Sequence, residues 1–521
     1  MSAVALKQQA EQFAAAGQFD SALDALSRAM ALDPGDADIP VQSSYVASLM
    51  GRYRDAREFA LQASALKPRS LDVATEMISR LRAFNLEKEL RAALRALPPP
   101  SRLDIRTLLQ VGAQLSYFNL QDEAMKYLDE ARRADPAFPP TLLARAQVLM
   151  YMGRFDEARK DLAVVEKRAP QIPKTYWLYS RMGKATSSLN HVATIRSLLR
   201  NDALRVDDRV SLAYALHTEL DDLGDHAGAA EALDLALRTK RASLKYDASI
   251  TSGIVDGLIR LDWDAMSNGS LVDGPTPIFI VGPHRSGTTL LEHLLDSSPD
   301  LLGIGEIYDF TSQMRYATDH HCRGPIDATL ISRTGNVDFD AVGRGYMASV
   351  AWRLNGEKFF TDKLPTNFFN VGFILKALPN AKILHLVRDP MEVGFSNLRE
   401  SFGDVNQHTY DQREMAAYLK DYQRLMAFWH EKFPGRILDV PYVELTRDPA
   451  AMMEKVTAYV GMEMTDAMRA GKGSNRAVAT ASAVQVREGV KAREVPKWMP
   501  YSEYLAPMRH ALVESGLYQS S

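Results

Sequence analysis

The sequence predicts two architectures in one chain: an all-helical repeat solenoid over the first half and an α/β domain with a parallel sheet over the second. Three observations carry this reading. A pattern of turn residue, aromatic and alanine recurs at a fixed interval between residues 17 and 158. A cluster of Asn, Gly, Ser and Pro between Ser267 and Pro277 marks a break in the chain. Beyond it, β-branched runs of strand length alternate with helix-patterned segments, as crossover connections and a parallel sheet require.

Composition sets the limits. A chain of 521 residues exceeds what one hydrophobic core serves, so two or three domains are expected. Hydrophobic content of 46% and charged content of 24% are ordinary for a soluble globular protein. A net charge of -3 argues against bulk binding to nucleic acid or anionic membrane, so any anion site must be a local concentration of Arg and Lys. The single cysteine, Cys322, excludes an internal disulfide framework and fits a reducing compartment. The segment Met1–Lys7 has no basic region leading into an apolar one, and no run reaches the roughly 18 uninterrupted apolar residues of a membrane span. The expected location is cytoplasmic.

In the first half, Gly17-Gln18-Phe19-Asp20-Ser21-Ala22 recurs as Gly51-Arg52-Tyr53-Arg54-Asp55-Ala56 and as Gly153-Arg154-Phe155-Asp156-Glu157-Ala158, with a weaker copy from Asn119 to Ala124. Positions 22, 56, 90, 124 and 158 are 34 residues apart and hold Ala, Ala, Leu, Ala and Ala. The same interval links Pro34 to Pro68 and Pro136 to Pro170. Gly or Asn makes the turn between two helices, the aromatic fills the groove, Ala permits close approach and Pro ends the second helix. This period and chemistry resemble the tetratricopeptide repeat. One unit, Leu71 to Pro100, keeps the register but lacks the Gly and the aromatic. Asn190-His191-Val192 and the segment Gly224 to Ala229 read as two degenerate units, so residues 1–250 are assigned to the solenoid, 251–274 to a linker and 275–521 to the second domain. Such an array offers a curved surface to a peptide or protein partner, or it braces the second domain or a homodimer. The sequence leaves these alternatives open.

The second domain opens with Pro277-Ile278-Phe279-Ile280-Val281, then Gly282-Pro283-His284-Arg285-Ser286-Gly287-Thr288-Thr289, then a helix-patterned run from Leu290 to Leu295. A strand, a polar loop and a helix N-terminus in succession form an anion cradle. Gly282 and Gly287 have the glycine spacing of a P-loop, but the lysine position is Thr288. A nucleotide triphosphatase needs that lysine for the β- and γ-phosphates, so this P-loop-like turn suits a different phosphate-containing group, with Arg285 as its cation. Further strands are expected at Lys358–Thr361, Lys382–Val387 and Arg436–Val440, and helices at Asn367–Leu378, Met391–Ser401, Met415–Phe433 and Ala450–Val460. Arg388-Asp389-Pro390 sits at a strand end, with Asp389 as N-cap and Pro390 at the first helical position. Arg388, with Ser396 about two helical turns on, forms a second candidate anion pocket.

Arg285-Ser286-Gly287-Thr288-Thr289 after a strand, followed by Arg388-Asp389-Pro390 and Ser396, resembles the sulfotransferases that use 3′-phosphoadenylyl sulfate. The Arg-Ser-Gly-Thr-Thr form is closest to the protein-tyrosine sulfotransferases, and the leading array is similar to tetratricopeptide-containing sulfotransferases. The resemblance implies that the first loop grips the 5′-phosphosulfate and the second motif the 3′-phosphate, with adenosine 3′,5′-bisphosphate as product and no metal. It implies that Glu306 is the general base, that Lys363 steadies the bridging oxygen and leaving phosphate, and that Arg285 assists. It also implies that Tyr442 contacts the nucleotide, and that Ser482, Gln485, Arg487 and Lys497 belong to a late loop closing over it.

Two departures separate this sequence from the tyrosine enzymes. Ile307, Tyr308, Asp309 and Phe310 follow Glu306 where the family has arginines that select acidic peptides, and Glu400 stands where it has an arginine four residues after the pocket serine. Acidic-peptide specificity is therefore not carried over, and the acceptor is any hydroxyl-bearing molecule, with a peptide docked on the repeats as one candidate. His320-His321-Cys322 are read as loop residues, since three adjacent side chains cannot converge on one ion. The alternatives are a non-catalytic tetratricopeptide scaffold with a nucleotide-binding pseudo-transferase domain, and a nucleotide kinase, which Thr288 disfavours.

Overall fold

The 34-residue interval becomes a stack of antiparallel helix pairs. In the computed structural model, which describes all residues except 475, 479, 481–483, 491–493 and 520–521, the pairs are Ala3–Ala15 with Phe19–Leu32, Asp38–Leu49 with Tyr53–Ser64, Leu71–Ala83 with Glu87–Ala96, Ile105–Tyr117 with Gln121–Ala134, and Pro139–Tyr151 with Phe155–Arg168. Less regular helices follow at Pro173–Met182 and Val192–Leu199, then a long pair, Val206–Asp222 with His226–Ala242. The repeated small residues Ala22, Ala56, Ala124 and Ala158, with Leu90, are all buried where the helices meet. Between the paired helices stand Gly17, Gly51, Asn85, Asn119 and Gly153, each with φ between +54° and +77°. That region strains most side chains, but Gly and Asn tolerate it. The unit lacking a glycine therefore keeps its turn through Asn85. Phe84, one residue earlier, supplies an aromatic that packs edge-on against Tyr53 with centroids 5.1 Å apart.

In the second half, five strands form one parallel sheet in the order β2-β3-β1-β4-β5: β1 Thr276–Val281, β2 Leu301–Gly303, β3 Phe359–Asp362, β4 Lys382–Val387 and β5 Ile437–Pro441. Strands β3 and β5 begin one residue later than the periodicity places them. The short β2 had no sequence signal of its own. Ile278, Ile280, Leu384 and Leu386 pack on one face with helices Thr288–Leu295 and Pro449–Val460, while Phe279, Val281 and Ile383 pack on the other. The second face is covered by the long helix Gln412–Lys432, whose Trp429 meets Trp263 edge-on at 5.0 Å.

Trp263 lies in the segment assigned from sequence to a linker, and the structure gives that segment another role. Residues Ala248–Arg260 form a helix with Val255 and Leu258 buried, and Ser252 bonds Asp421 of the long helix. The connection belongs to the α/β core because its apolar residues bury there. Among the described residues, no helix is long and apolar enough to cross a membrane.

The array lies against the α/β domain along its turns. The Gly51 carbonyl accepts from the His321 amide at 2.9 Å. Asn85 Nδ2 donates to Ser312 Oγ at 3.2 Å, and Asn119 Nδ2 to the Glu306 carbonyl at 3.2 Å. At Gly153 the Arg487 side chain lies so close that a Cβ would stand 2.5 Å from its Nε. Four successive turns thus dock on one domain, and the third reaches the segment that carries Glu306. Phe118 adds a stacked contact with Trp352, with centroids 5.6 Å apart. The solenoid is an integral wall of the molecule.

Candidate active site

A parallel sheet presents the carboxyl ends of neighbouring strands side by side, and ligands bind where they emerge. Here β1 and β4 are neighbours, so the two candidate anion motifs leave the sheet together. After β1 the loop turns through Gly282 (φ +149°), Arg285 (φ +67°) and Gly287 (φ +113°), which caps helix Thr288–Leu295 without a side-chain bond. The Thr288 and Thr289 amides at its start have no carbonyl a turn earlier in the helix to bond, whereas the Leu290 amide donates to the Gly287 carbonyl at 3.0 Å. Gly287 is demanded by its neighbour as well as by its φ, since a Cβ there would lie 2.4 Å from Cδ2 of Tyr442.

The motifs are bonded to each other. Arg285 Nε donates to Ser396 Oγ at 3.2 Å, Arg388 Nη1 to the Arg285 carbonyl at 3.0 Å, and Asn397 Nδ2 to the His284 carbonyl at 2.8 Å. Glu392 pairs with Arg388, whose guanidinium lies over the Tyr442 ring at 4.2 Å. Burial, opposed by Glu400 and reinforced by Arg181, Arg388 and Arg399, lowers the Arg285 pKa to about 10, so the group remains a cation at neutral pH. Two buried polar atoms here, Ser286 Oγ and Arg388 Nε, have no hydrogen-bond partner among the described residues. Such groups are costly unless a ligand or water satisfies them. One lies in each pocket, which suits a ligand with two separate anionic ends.

Glu306 and Lys363 meet beside this loop. Lys363 is completely buried at the end of β3, and its Nζ donates to Glu306 Oε1 at 2.6 Å. Gly305 (φ +76°) turns the chain so that its carbonyl accepts from the Lys363 amide at 3.0 Å. Glu292, on the loop helix, straps this corner by accepting from the Gly305 amide at 3.1 Å and from Thr361 Oγ1 at 3.0 Å. Between the loop and Glu306 is a cavity of about 20 Å³, lined by His284, Gly287, Thr289, Phe402 and Thr480 among others, room for about one water.

Burial pushes the Glu292 carboxyl up to about 7, with Lys363 and its hydrogen bonds opposing. A raised carboxyl pKa contributes stability that is full below about pH 4.5 and is lost as pH rises through 7. Glu292→Gln keeps an acceptor for Gly305 and Thr361 but does not titrate. The stability of the wild type relative to Glu292→Gln should therefore fall by on the order of 3 kcal/mol between pH 4.5 and 8. Melting curves across that range test this, and a pH-independent difference would contradict it.

The structure gathers Arg285, Ser286, Gly287, Thr288, Thr289, Glu306, Lys363, Arg388, Ser396 and Tyr442 at the carboxyl edge of the sheet. Lys497 reaches the rim through its backbone, its amide donating to Glu392 Oε1 at 3.1 Å while its side chain is exposed. Arg487 instead turns to the array and donates to the Tyr151 carbonyl at 3.1 Å. Ser482 lies outside the described residues, and of the Gln485 side chain nothing is described. His320 and His321 serve docking: His320 bonds Asp327 at 2.7 Å, and the His321 ring packs between Tyr53 and Phe84.

Sequence reasoning missed Glu292, Asn397, Asn119 and Arg181. Only Glu292 carried a local signal, as an acid set among Leu290, Leu291, Leu294 and Leu295. It also missed a second cavity of about 430 Å³ beyond Arg388, where Asp439 bonds His385 at 2.7 Å and His430 at 2.9 Å. Among the described residues these three side chains offer ligand atoms within 4.8 Å of one another, a grouping able to hold a metal ion.

Residues 277–466 match the model of the sulfotransferase family and residues 13–76 that of the tetratricopeptide repeat. An uncharacterised protein of Aquifex aeolicus (strain VF5) is 27% identical over 403 residues, 75% of this chain and 52% of that protein. A Caenorhabditis briggsae protein with a provisional protein-tyrosine sulfotransferase name is 24% identical over 191 residues, 37% of this chain and 67% of its own length. The chain thus spans about half of the Aquifex relative and two thirds of the Caenorhabditis one. Among solved structures, the sulfotransferase domain of the Synechococcus PCC 7002 olefin synthase is 16% identical, covering 49% of this chain and all of that one, with a TM-score of 0.30. A sulfotransferase from Alicyclobacillus acidocaldarius is 19% identical, covering 48% of this chain and 98% of its own, with a TM-score of 0.27. The chain carries a tetratricopeptide-repeat region followed by a domain that belongs to the sulfotransferase family.

Proposed function

We propose that this protein transfers a sulfuryl group from 3′-phosphoadenylyl sulfate to an acceptor hydroxyl, releasing adenosine 3′,5′-bisphosphate. The observation that carries the reading is the Glu306–Lys363 pair, 2.6 Å apart, beside a loop cation that is bonded to the second anion pocket. Arg285, Ser286, Thr288, Thr289 and the first-turn amides are suited to the phosphosulfate end. Arg388 and Ser396 are suited to the 3′-phosphate, and Tyr442 packs between the two motifs. The orphaned Ser286 Oγ and Arg388 Nε support this division.

The bound donor supplies the sulfuryl group and a phosphate leaving group. Glu306 takes the acceptor's proton as the new oxygen–sulfur bond forms. Lys363 Nζ has two N–H donors beyond the one it gives to Glu306. With Arg285 it neutralises charge on the departing oxygen, and preorganised donors of this kind are the main source of catalysis. These cations occupy the role that the P-loop lysine and a divalent ion share in nucleotide triphosphatases. Lys363 also weighs against a non-catalytic scaffold. Burying a lysine is costly unless it is paired, and its partner Glu306 stays partly open to solvent, with 27% of its side chain exposed.

Adenosine 3′,5′-bisphosphate at about 100 times its Kd should stabilise the protein by about 2.7 kcal/mol, read as a rise in melting temperature. ATP with Mg²⁺ should do less. No shift with the bisphosphate, or a larger one with ATP–Mg²⁺, would sink the donor assignment.

A further inference from the structure

We propose that His385, His430 and Asp439 form a binding site for one divalent transition-metal ion of the Zn²⁺ class, apart from the anion cradle. The inference stands independently of the donor assignment, in which none of the three residues takes part.

Three elements bring the ligands together. His385 on β4 and Asp439 on β5 are register partners in adjacent parallel strands, so their side chains leave the sheet on the same face. Helix Gln412–Lys432, which covers that face, brings His430 in from its last turn. Asp439 Oδ1 stands 2.7 Å from His385 Nδ1 and 2.9 Å from His430 Nε2. Among the described residues, no other three His, Cys, Asp or Glu side chains bring their ligand atoms within 4.8 Å of one another.

The donor set selects the ion. Two imidazoles and a carboxylate suit Zn²⁺ and its neighbours, whereas Mg²⁺ and Ca²⁺ favour oxygen ligands. A tetrahedral ion with bonds of about 2.0–2.1 Å holds its ligands roughly 3.3 Å apart, so the trio must open by about 0.5 Å. His430 and Asp439 have the freedom to do this, because 37% and 47% of their side chains are exposed. His385 is the fixed member. Its side chain is 7% exposed, and its Nε2 is bonded to the Tyr422 hydroxyl. A partner on the second ring nitrogen orients the imidazole of a metal-binding histidine, and here it leaves Nδ1 turned to the other two ligands. All three residues line the cavity of about 430 Å³ beyond Arg388, so a fourth coordination position is open to water or an incoming ligand. The bound ion ties the ends of β4 and β5 to the long helix, close in sequence to Arg388.

The test uses the full chain, freed of metal with a chelator and titrated calorimetrically with Zn²⁺. One ion per chain should bind. Loss of an orienting partner alone costs about 10–100-fold in metal affinity, so loss of a ligand, in His430→Gln or Asp439→Asn, should cost at least about 100-fold. Both substitutions are at partly exposed positions, so both variants should melt close to the metal-free wild type. A second measurement needs no variant: Zn²⁺ should raise the wild-type melting temperature, and Mg²⁺ should not. Three side chains that serve only as a hydrogen-bonded contact give no such selectivity. Absence of Zn²⁺ binding to the wild type, Zn²⁺ affinity that either variant leaves unchanged, or equal shifts with the two ions overturns the inference. None of these results bears on binding of adenosine 3′,5′-bisphosphate, so the donor assignment is judged separately.

Discussion

Glu306→Ala is expected to lower sulfuryl transfer by about 10²–10⁴-fold, the usual contribution of a positioned general base, with affinity for adenosine 3′,5′-bisphosphate unchanged. The split follows from the geometry. Glu306 bonds Lys363 and, through its backbone carbonyl, Asn119, whereas the groups suited to the nucleotide are on the loop and the Arg388 motif. Removing the carboxylate also leaves Lys363 Nζ, at the end of a completely buried side chain, without that partner. Part of the loss can therefore be structural, and Glu306→Gln separates the two. It keeps an oxygen for Lys363 and cannot take a proton. Transfer should fall in both variants, while melting temperature falls further in the alanine one. Wild-type turnover in Glu306→Gln would rule out the base role.

Gly287→Ala is expected to remove nucleotide binding and to destabilise the domain. The residue has φ of +113°, and a Cβ would lie 2.4 Å from one carbon of the Tyr442 ring and 2.8 Å from the next. Overpacking of this kind costs about 1–3 kcal/mol, and the backbone strain of a side chain at this φ adds about 1–3 kcal/mol. Tyr442 cannot yield without consequence, because the Arg388 guanidinium lies over its ring at 4.2 Å. The clash at the first pocket is thus transmitted to the second. Tyr442→Ala in the Gly287→Ala background should recover part of the lost melting temperature while binding stays impaired. Undiminished binding by Gly287→Ala alone would show that the loop does not hold the ligand in this conformation.

Both arguments rest on residues that the sequence singled out, and the contrast with Asn119 and Arg181 shows why. The anion loop is a local object: strand propensity, two glycines, hydroxyls and a helix start occupy consecutive positions, so backbone stereochemistry alone delimits it. The solenoid is equally local, since an interval of 34 residues recurs in the chain and buries Ala22, Ala56, Leu90, Ala124 and Ala158 in equivalent places. Pairing of the loop with Arg388-Asp389-Pro390 was reachable because alternating strands and helices imply adjacent strand ends.

Glu400 could not be interpreted that way. In sequence it was a departure, an acid where the resembled family has an arginine. In the fold it is the residue by which the array reaches the loop cation. The bond from Arg181 to Glu400 joins residues 219 positions apart, and that from Asn119 to Glu306 joins residues 187 apart. Such contacts depend on the angle at which four repeat turns settle on the α/β domain, and that angle follows from the summed packing of Gly51, Asn85, Asn119 and Gly153 with their partners. No periodicity or motif encodes it. Local stereochemistry made the repeat array, the parallel sheet and the anion cradle readable in the chain. Docking alone made the array a wall of the site, because many weak contacts across the interface must be satisfied together.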